Sequence, residues 1–287
     1  MQRRQRQVYA FIEPELRRRR ALWGAWEKGS AQVDGDCDDN KPLDTLRWLD
    51  EVAAEKGQPI DVVMGQLAIN LAAVHTSASL LVSVIFNLAA RPELAQELRN
   101  EIASNIGSGE FSWSEVAKKD QLRSLRLMDS VLKETQRFHA PNVIVMKRAT
   151  VAPTTLSNGT RIPAGVTVGV PVSWMAHPSI YERGQEYDGH RYLRLQDNAP
   201  NDSGRWSFVT TSNAHWGFGH GSHACPGRFF ASVELKIVLV HLLMAYEWRL
   251  EGGKTGAENM PKTTLMVDQM MPDLTARLEF RSRATQS

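Results

Sequence analysis

The chain has 287 residues, 42% hydrophobic and 23% charged, a globular composition with enough apolar side chains for a sizeable core, which argues against a disordered or fibrous protein. Two cysteines, Cys37 and Cys225, exclude a disulfide framework and fit a reducing compartment. The net charge of +2 decides nothing about nucleic acid; the runs "RRQR" and "RRRR" read as solvated helix faces, and no nucleic-acid partner is expected.

In chain order, residues 1–29 predict helix broken at Pro14, with no apolar stretch of the signal-peptide kind. Residues 30–42, rich in Asp and Gly, read as an exposed loop holding Cys37. A long apolar helix follows over about 61–90, started by Asp61 and stopped before Arg91-Pro92. It is long enough to cross a bilayer, which takes about 20 mostly apolar residues. Gln66, Asn70, His75, Thr76, Ser77, Ser79, Ser83 and Asn87 interrupt it, so it is expected to be the buried core helix of a soluble domain.

"PELAQELRNEIASNIG" predicts a second helix, with Pro92 in its first turn and Gly107 as its stop. Leu122, Leu125, Met128, Val131 and Leu132 then recur at helical spacing in a helix over about 121–138 that Pro141 ends. After residue 142, β-branched residues and a two-residue turn at Asn158-Gly159 predict a small antiparallel sheet. "PVSWMAHPSI" reads as a short helix and 181–206 as irregular. Residues 226–246 read as a buried helix with Phe230, Val233, Ile237, Val240 and Met244 on one stripe. "TTLMV" and "LTARLEF" read as closing strands. The fold class expected is mainly α with minor β, in one unit over 1–287.

The stretch "HWGFGHGSHACPGRFF" places Cys225 at a helix entrance, where unpaired N–H groups and the helix dipole favour thiolate. Gly219, Gly221 and Gly227 have no Cβ to obstruct a large flat partner. A small cysteine filling a buried gap is the other reading of Cys225 taken alone. Phe218, Gly221, His223, Cys225 and Gly227 together resemble, over residues 216–227, the haem-binding loop Phe-x-x-Gly-x-Arg-x-Cys-x-Gly of the cytochrome P-450 family of haem-thiolate monooxygenases. His223 departs, standing where the family has arginine; it can still donate to a haem propionate, with a charge that depends on pH.

Three further matches accompany the loop. Glu134 and Arg137 in "KETQR" resemble the family's Glu-x-x-Arg helix, and Arg191 in "YDGHRY" resembles the downstream arginine that completes a structural, non-catalytic network. Arg148 matches the place of an arginine offered to a haem propionate; a surface strand residue is its other reading. "AAVHTS" looks like the family's oxygen-activation motif, with Ala73 for glycine, His75 for the acid and Thr76 retained, as in certain fungal members that oxidise terpenoids. There the Thr76 hydroxyl is expected to back-bond the Ala72 carbonyl and open the helix, with His75 relaying protons, unless His75 is a satisfied core histidine.

The resemblance implies the C-terminal part of the cytochrome P-450 fold, truncated at its N-terminus, with Cys225 as axial ligand of haem b. It implies insertion of one oxygen atom from dioxygen into a lipophilic small molecule, such as a terpenoid-like one, in fungal secondary metabolism. Electrons would come from NADPH through a flavoprotein NADPH-cytochrome reductase, whose acidic surface Lys236 on the loop's outer face could meet. Family members usually sit on the endoplasmic reticulum through an N-terminal anchor that this chain lacks, so a cytosolic or peripheral location is expected. A non-catalytic remnant, and an isomerase or peroxygenase that needs no redox partner, are the alternatives.

Overall fold

Pro14 does not break the first helix. In the computed structural model, which describes residues 2–27, 44–57, 60–107 and 119–283, α1 (Gln2–Glu27) continues through it. The carbonyl that a residue-14 N–H would have met belongs to Ala10, which is exposed and so open to solvent, and the Glu13–Arg17 and Glu15–Arg19 ion pairs bridge the turn on either side. Cys37 and the acidic loop expected at 30–42 lie outside the described residues. Helix α2 (Thr45–Lys56) starts where Asp44 accepts from Arg47 N at 3.1 Å and stops at Gly57, with φ of 59°. Arg19 pairs with Asp44 at 2.6 Å and Arg20 with Asp50, so part of the arginine run is matched by carboxylates of α2 and its cap.

Helix α3 (Val62–Ala89) has the expected length and start, Asp61 accepting from Met64 N at 3.0 Å. Its burial does not follow the expectation. Only 11% of its most apolar window is buried, and Leu71 and Val74 are 63% and 61% exposed. Apart from Val62 and Val63 in its first turn, the buried residues of the helix begin at Leu80 and follow the stripe Leu80, Val84 and Leu88, spaced four apart, where other core side chains meet it, with Asn87 and Ala89 buried beside Leu88. Among the described residues it is the one helix long and apolar enough to cross a membrane. The chain divides inside this helix into two compact units, residues 1–75 and 76–287.

In the second unit, α4 (Pro92–Asn105) begins and ends as expected, with Gly107 at φ 130° donating to Ile102 O. The helix expected over about 121–138 is two, α5 (Lys119–Ser124) and α6 (Arg126–Phe138), parted at Leu125, whose ψ of 73° is not helical. The break lets the α6 N-terminus meet Glu101 of α4, whose carboxylate accepts from Leu127 N at 2.6 Å and Met128 N at 3.0 Å. Val84, Leu98, Ile102, Met128, Val131, Leu132, Phe208, Leu239 and Leu243 are the heart of the core.

Among the described residues the strands form four two-stranded antiparallel pairs: β1 (Ile144–Ala149) with β4 (Thr167–Pro171), β2 (Thr154–Thr155) with β3 (Arg161–Ile162), β5 (Tyr246–Leu250) with β8 (Leu278–Ser282), and β6 (Thr264–Met266) with β7 (Gln269–Met271). Mainly α with minor β is therefore the observed class. The turn at Asn158-Gly159 is longer than two residues: Gly159, at φ 86°, donates to Leu156 O, and Leu156 N donates to Thr160 O. The stretch expected to be irregular contains α7 (Arg191–Asp197) and a 3₁₀ turn over Pro200–Trp206. α7 has no side-chain cap of its own; Ser130 Oγ of α6 accepts from Tyr192 N and Leu193 N, both at 3.1 Å. Its start signal is therefore tertiary.

Helix α8 (Arg228–Ala245) presents a different stripe from the one expected: Ser232, Leu235, Lys236, Leu239, Val240 and Leu243 are buried, while Phe230 is 65% exposed. Lys236 is no outward-facing basic residue. It is buried, pairs with Asp129 at 2.7 Å and donates to Leu122 O at 3.1 Å.

Candidate functional site

Every residue of α6 from Leu127 to Arg137 is buried, polar ones included, so each polar side chain must find its partners inside. They find them in the long segment that winds back past the helix. Asp129 accepts from Phe208 N at 2.7 Å; Lys133 donates to Ser207 O and Thr210 O at 2.6 and 2.7 Å; Thr135 bonds Tyr187 Oη at 2.9 Å. Burial lowers the Lys133 ammonium to about 7, against the pull of Asp129, and raises Tyr187 above the usual phenol range.

Glu134 is the centre of this helix. Arg137 donates Nε to Oε2 at 2.8 Å and Nη2 to Oε1 at 2.7 Å, Arg191 Nε lies 3.2 Å from both oxygens, and Asp188 N donates to Oε1 at 2.9 Å. The remaining Arg137 N–H groups and three of those on the Arg191 Nη atoms are used as well. Arg137 donates to the carbonyls of Met175, Gly184 and Glu186, and Arg191 to those of Glu182, Arg183 and Glu186. Burial lowers the Arg137 pKa, and the hydrogen bond and charge of Glu134 more than offset this, leaving it raised. The structure brings Glu134, Arg137 and Arg191 together, the carboxylate held by the Arg137 fork and by the Arg191 Nε–H shared between its two oxygens. It ties residues 175–191 to α6. Only glycine fits at 184, where a Cβ would lie 2.5 Å from Ala176 O.

The cysteine loop is held by its own backbone. Cys225 N donates to Phe218 O at 2.8 Å, Gly219 N to Trp216 O at 2.8 Å, and Ala224 N to Gly221 O at 3.0 Å. Gly219 and Gly221 have φ of 71° and 72°, left-handed conformations that admit glycine without strain. Phe218 anchors the loop by packing edge-on to Phe208, with centroids 5.0 Å apart. Cys225 itself is exposed, which removes the reading of a gap-filling core cysteine. It lies three residues before the first residue of α8, and a Cβ at Gly227 would sit 3.9 Å from its Sγ. His223 is exposed, in a 3₁₀ turn over Gly221–His223. An exposed sulfur beside glycines that leave its surroundings clear fits a flat macrocycle coordinated through cysteine.

The other residues singled out from the sequence stand apart on their own elements. Arg148 lies on β1 just after a bulge at which Met146 takes φ of 51°; it is exposed and donates to Lys147 O at 2.8 Å. His75 and Thr76 are both exposed on α3, so His75 is not a satisfied core histidine. Sequence reasoning missed the polar residues of α6 that lie between its motif positions. Lys133 and Gln136, at helical spacing beside charged neighbours, carry the same signal as a solvated face. Buried His215 was missed too; its ring nitrogens meet Tyr192 Oη at 3.2 Å and Gln136 Oε1 at 3.0 Å.

A mainly helical unit thus carries a glycine-rich loop with an exposed cysteine beside a helix that holds a buried Glu-Arg-Arg cluster. The Cytochrome P450 family model matches residues 37–278, and the chain belongs to that family. It is 42% identical to the cytochrome P450 monooxygenase esdpI of Penicillium shearii over 84% of this chain and 44% of that protein. The monooxygenase easM of Aspergillus fumigatus is 38% identical over 84% of this chain and 44% of its own length. For eqxH of Fusarium heterosporum the figures are 36% identity, 95% and 50%. The chain spans about half the length of these curated relatives.

Proposed function

We propose that residues 1–287 are a single partial domain of a haem-thiolate monooxygenase, the C-terminal part of its fold, acting on a lipophilic small molecule in fungal secondary metabolism. The observation that carries this reading is the exposed sulfur of Cys225 on a loop closed by the Cys225 N to Phe218 O bond. Relatives named monooxygenases support the reaction type.

Haem b, when bound, supplies dioxygen binding and the insertion of one oxygen atom. The chain's part is to hold and orient it. Cys225 Sγ would ligate the iron, Phe218, Gly219 and Gly227 would leave room for the ring, and Arg148 and His223 would donate to its propionates. Thr76 Oγ1 and the His75 ring hold and pass protons on α3. Glu134, Arg137 and Arg191 keep the surrounding backbone in place without touching the reacting atoms. Electrons come from NADPH through a flavoprotein reductase. The family's usual place is the endoplasmic reticulum membrane.

The test is reconstitution with haem followed by the reduced carbon monoxide difference spectrum, for wild type and Cys225→Ala. A thiolate-type band in the wild type alone is expected. Its absence from the wild type overturns the reading for this chain and favours the second one, a remnant that keeps the fold without turnover. Turnover that persists without reductase or NADPH would replace monooxygenation by isomerisation or peroxide-driven oxidation.

A further inference from the structure

Outside the Glu134 cluster, three buried polar side chains form a line of hydrogen bonds that ends against the cysteine loop. Tyr192 Oη stands 3.2 Å from His215 Nδ1, and His215 Nε2 stands 3.0 Å from Gln136 Oε1. An amide oxygen only accepts, so Nε2 carries the ring proton; Nδ1 of the neutral imidazole then accepts from the Tyr192 hydroxyl. The ring is 1% exposed, and burial together with the charges of Lys133 and Arg137 keeps it neutral.

Two residues beyond His215, the backbone of Gly217 lies against the same glutamine. A Cβ there would fall 2.3 Å from Gln136 Oε1 and 2.4 Å from its Cδ. Gly217 is bridged to Gly219, and Phe218 between them accepts from Cys225 N at 2.8 Å. One side chain therefore contacts residues 215 and 217, and a single backbone hydrogen bond separates that contact from Cys225. The geometry points to Gln136, oriented by His215 and Tyr192, as a positioning residue that sets where residues 217–225 lie and thus where the Cys225 sulfur stands. Gln136 occupies one of the two unspecified places in Glu-x-x-Arg, so the motif assigns it nothing. This inference rests on the haem-thiolate reading.

The test compares wild type with Gln136→Met, which keeps length and removes the acceptor, Gln136→Glu, which keeps an acceptor oxygen, and Tyr192→Phe, which removes only the hydroxyl. Each is checked for wild-type far-ultraviolet dichroism, reconstituted with haem, and read by the share of thiolate-type against thiol-type carbon monoxide band. Gln136→Met is expected to move most of the signal to the thiol type, Tyr192→Phe a smaller part, and Gln136→Glu to restore the thiolate type. In the haem-free chain, amide hydrogen exchange over residues 217–224 is expected to speed up by about tenfold in Gln136→Met, with α4 unchanged.

Wild-type band shares and wild-type loop exchange in a folded Gln136→Met variant overturn the proposal. If that variant does not fold, Tyr192→Phe decides it by the same two readouts. A wild type without any thiolate-type band overturns the haem reading instead, while the exchange experiment still judges the positioning role.

Discussion

Every side chain of α6 from Leu127 to Arg137 is buried, whereas in the loop that carries Cys225 residues 220–223 and 225–227 are exposed. The helix is held by side chains reaching across to other segments, and the loop chiefly by its own backbone bonds and by glycine conformations. The contrast separates two demands on one site. A support must have its buried charges matched, because an unmatched charge inside is costly. A sulfur that is to ligate, as proposed for Cys225, must stay open on one side, and its loop is closed by short backbone bonds and packed on one face, Phe218 on Phe208.

That comparison can be broken by substitutions with graded effects on stability. Glu134→Ala leaves two buried guanidiniums without their carboxylate and should cost about 3–5 kcal/mol, read by chemical denaturation of the haem-free chain. A loss under about 1 kcal/mol would mean that water or the carbonyls of the 175–191 segment suffice. Gly217→Ala drives a methyl into Gln136 and should cost about 1–3 kcal/mol, with the loop repacking around it.

The titration of α6 adds a third test. The folded pKa of Lys133, about 7, lies below that of an unfolded lysine, so between these values the unfolded chain binds more protons and stability rises with pH. The slope should reach at most about 1.4 kcal/mol per pH unit from about pH 7 to pH 10, and Lys133→Met should flatten it. His139, lowered to about 4 by burial and then by Arg91, acts the same way at lower pH: the stability it contributes is present above the ordinary histidine range and lost as pH falls toward 4. Smallest of all, Cys225→Ala should change stability by no more than about 0.5 kcal/mol, since the side chain is exposed, while abolishing the thiolate-type spectrum. A large loss of stability there would place the sulfur in the core and erase the contrast.

Much of the site was readable because its chemistry is local. Phe218, Gly221, Cys225 and Gly227 fall within ten residues, and their meaning depends on spacing and on glycine, which neighbours in sequence determine. Glu134 and Arg137 share a helical turn, and Arg191 followed by resemblance; the structure joins all three. The failures share the opposite property. Pro14 was tolerated because its helix face is wet, and Lys236 and Phe230 exchanged their expected environments because apolar spacing defines a stripe without saying which neighbours will meet it. α7 starts where Ser130, 62 residues before Tyr192, receives its first N–H groups.

From the sequence by itself came the mainly helical class, the ends of α3 and α4, the cysteine loop and the family, since helix caps, turn residues and ligand motifs act over a few bonds. Only the tertiary structure decided what is buried: the charged face of α6, the outward position of Cys225, the exposure of Leu71 and Val74 on α3, and the Tyr192, His215 and Gln136 line. Burial depends on which distant segments arrive at a surface. A polar residue at helical spacing looks the same in sequence whether water or a carbonyl 70 residues away becomes its partner.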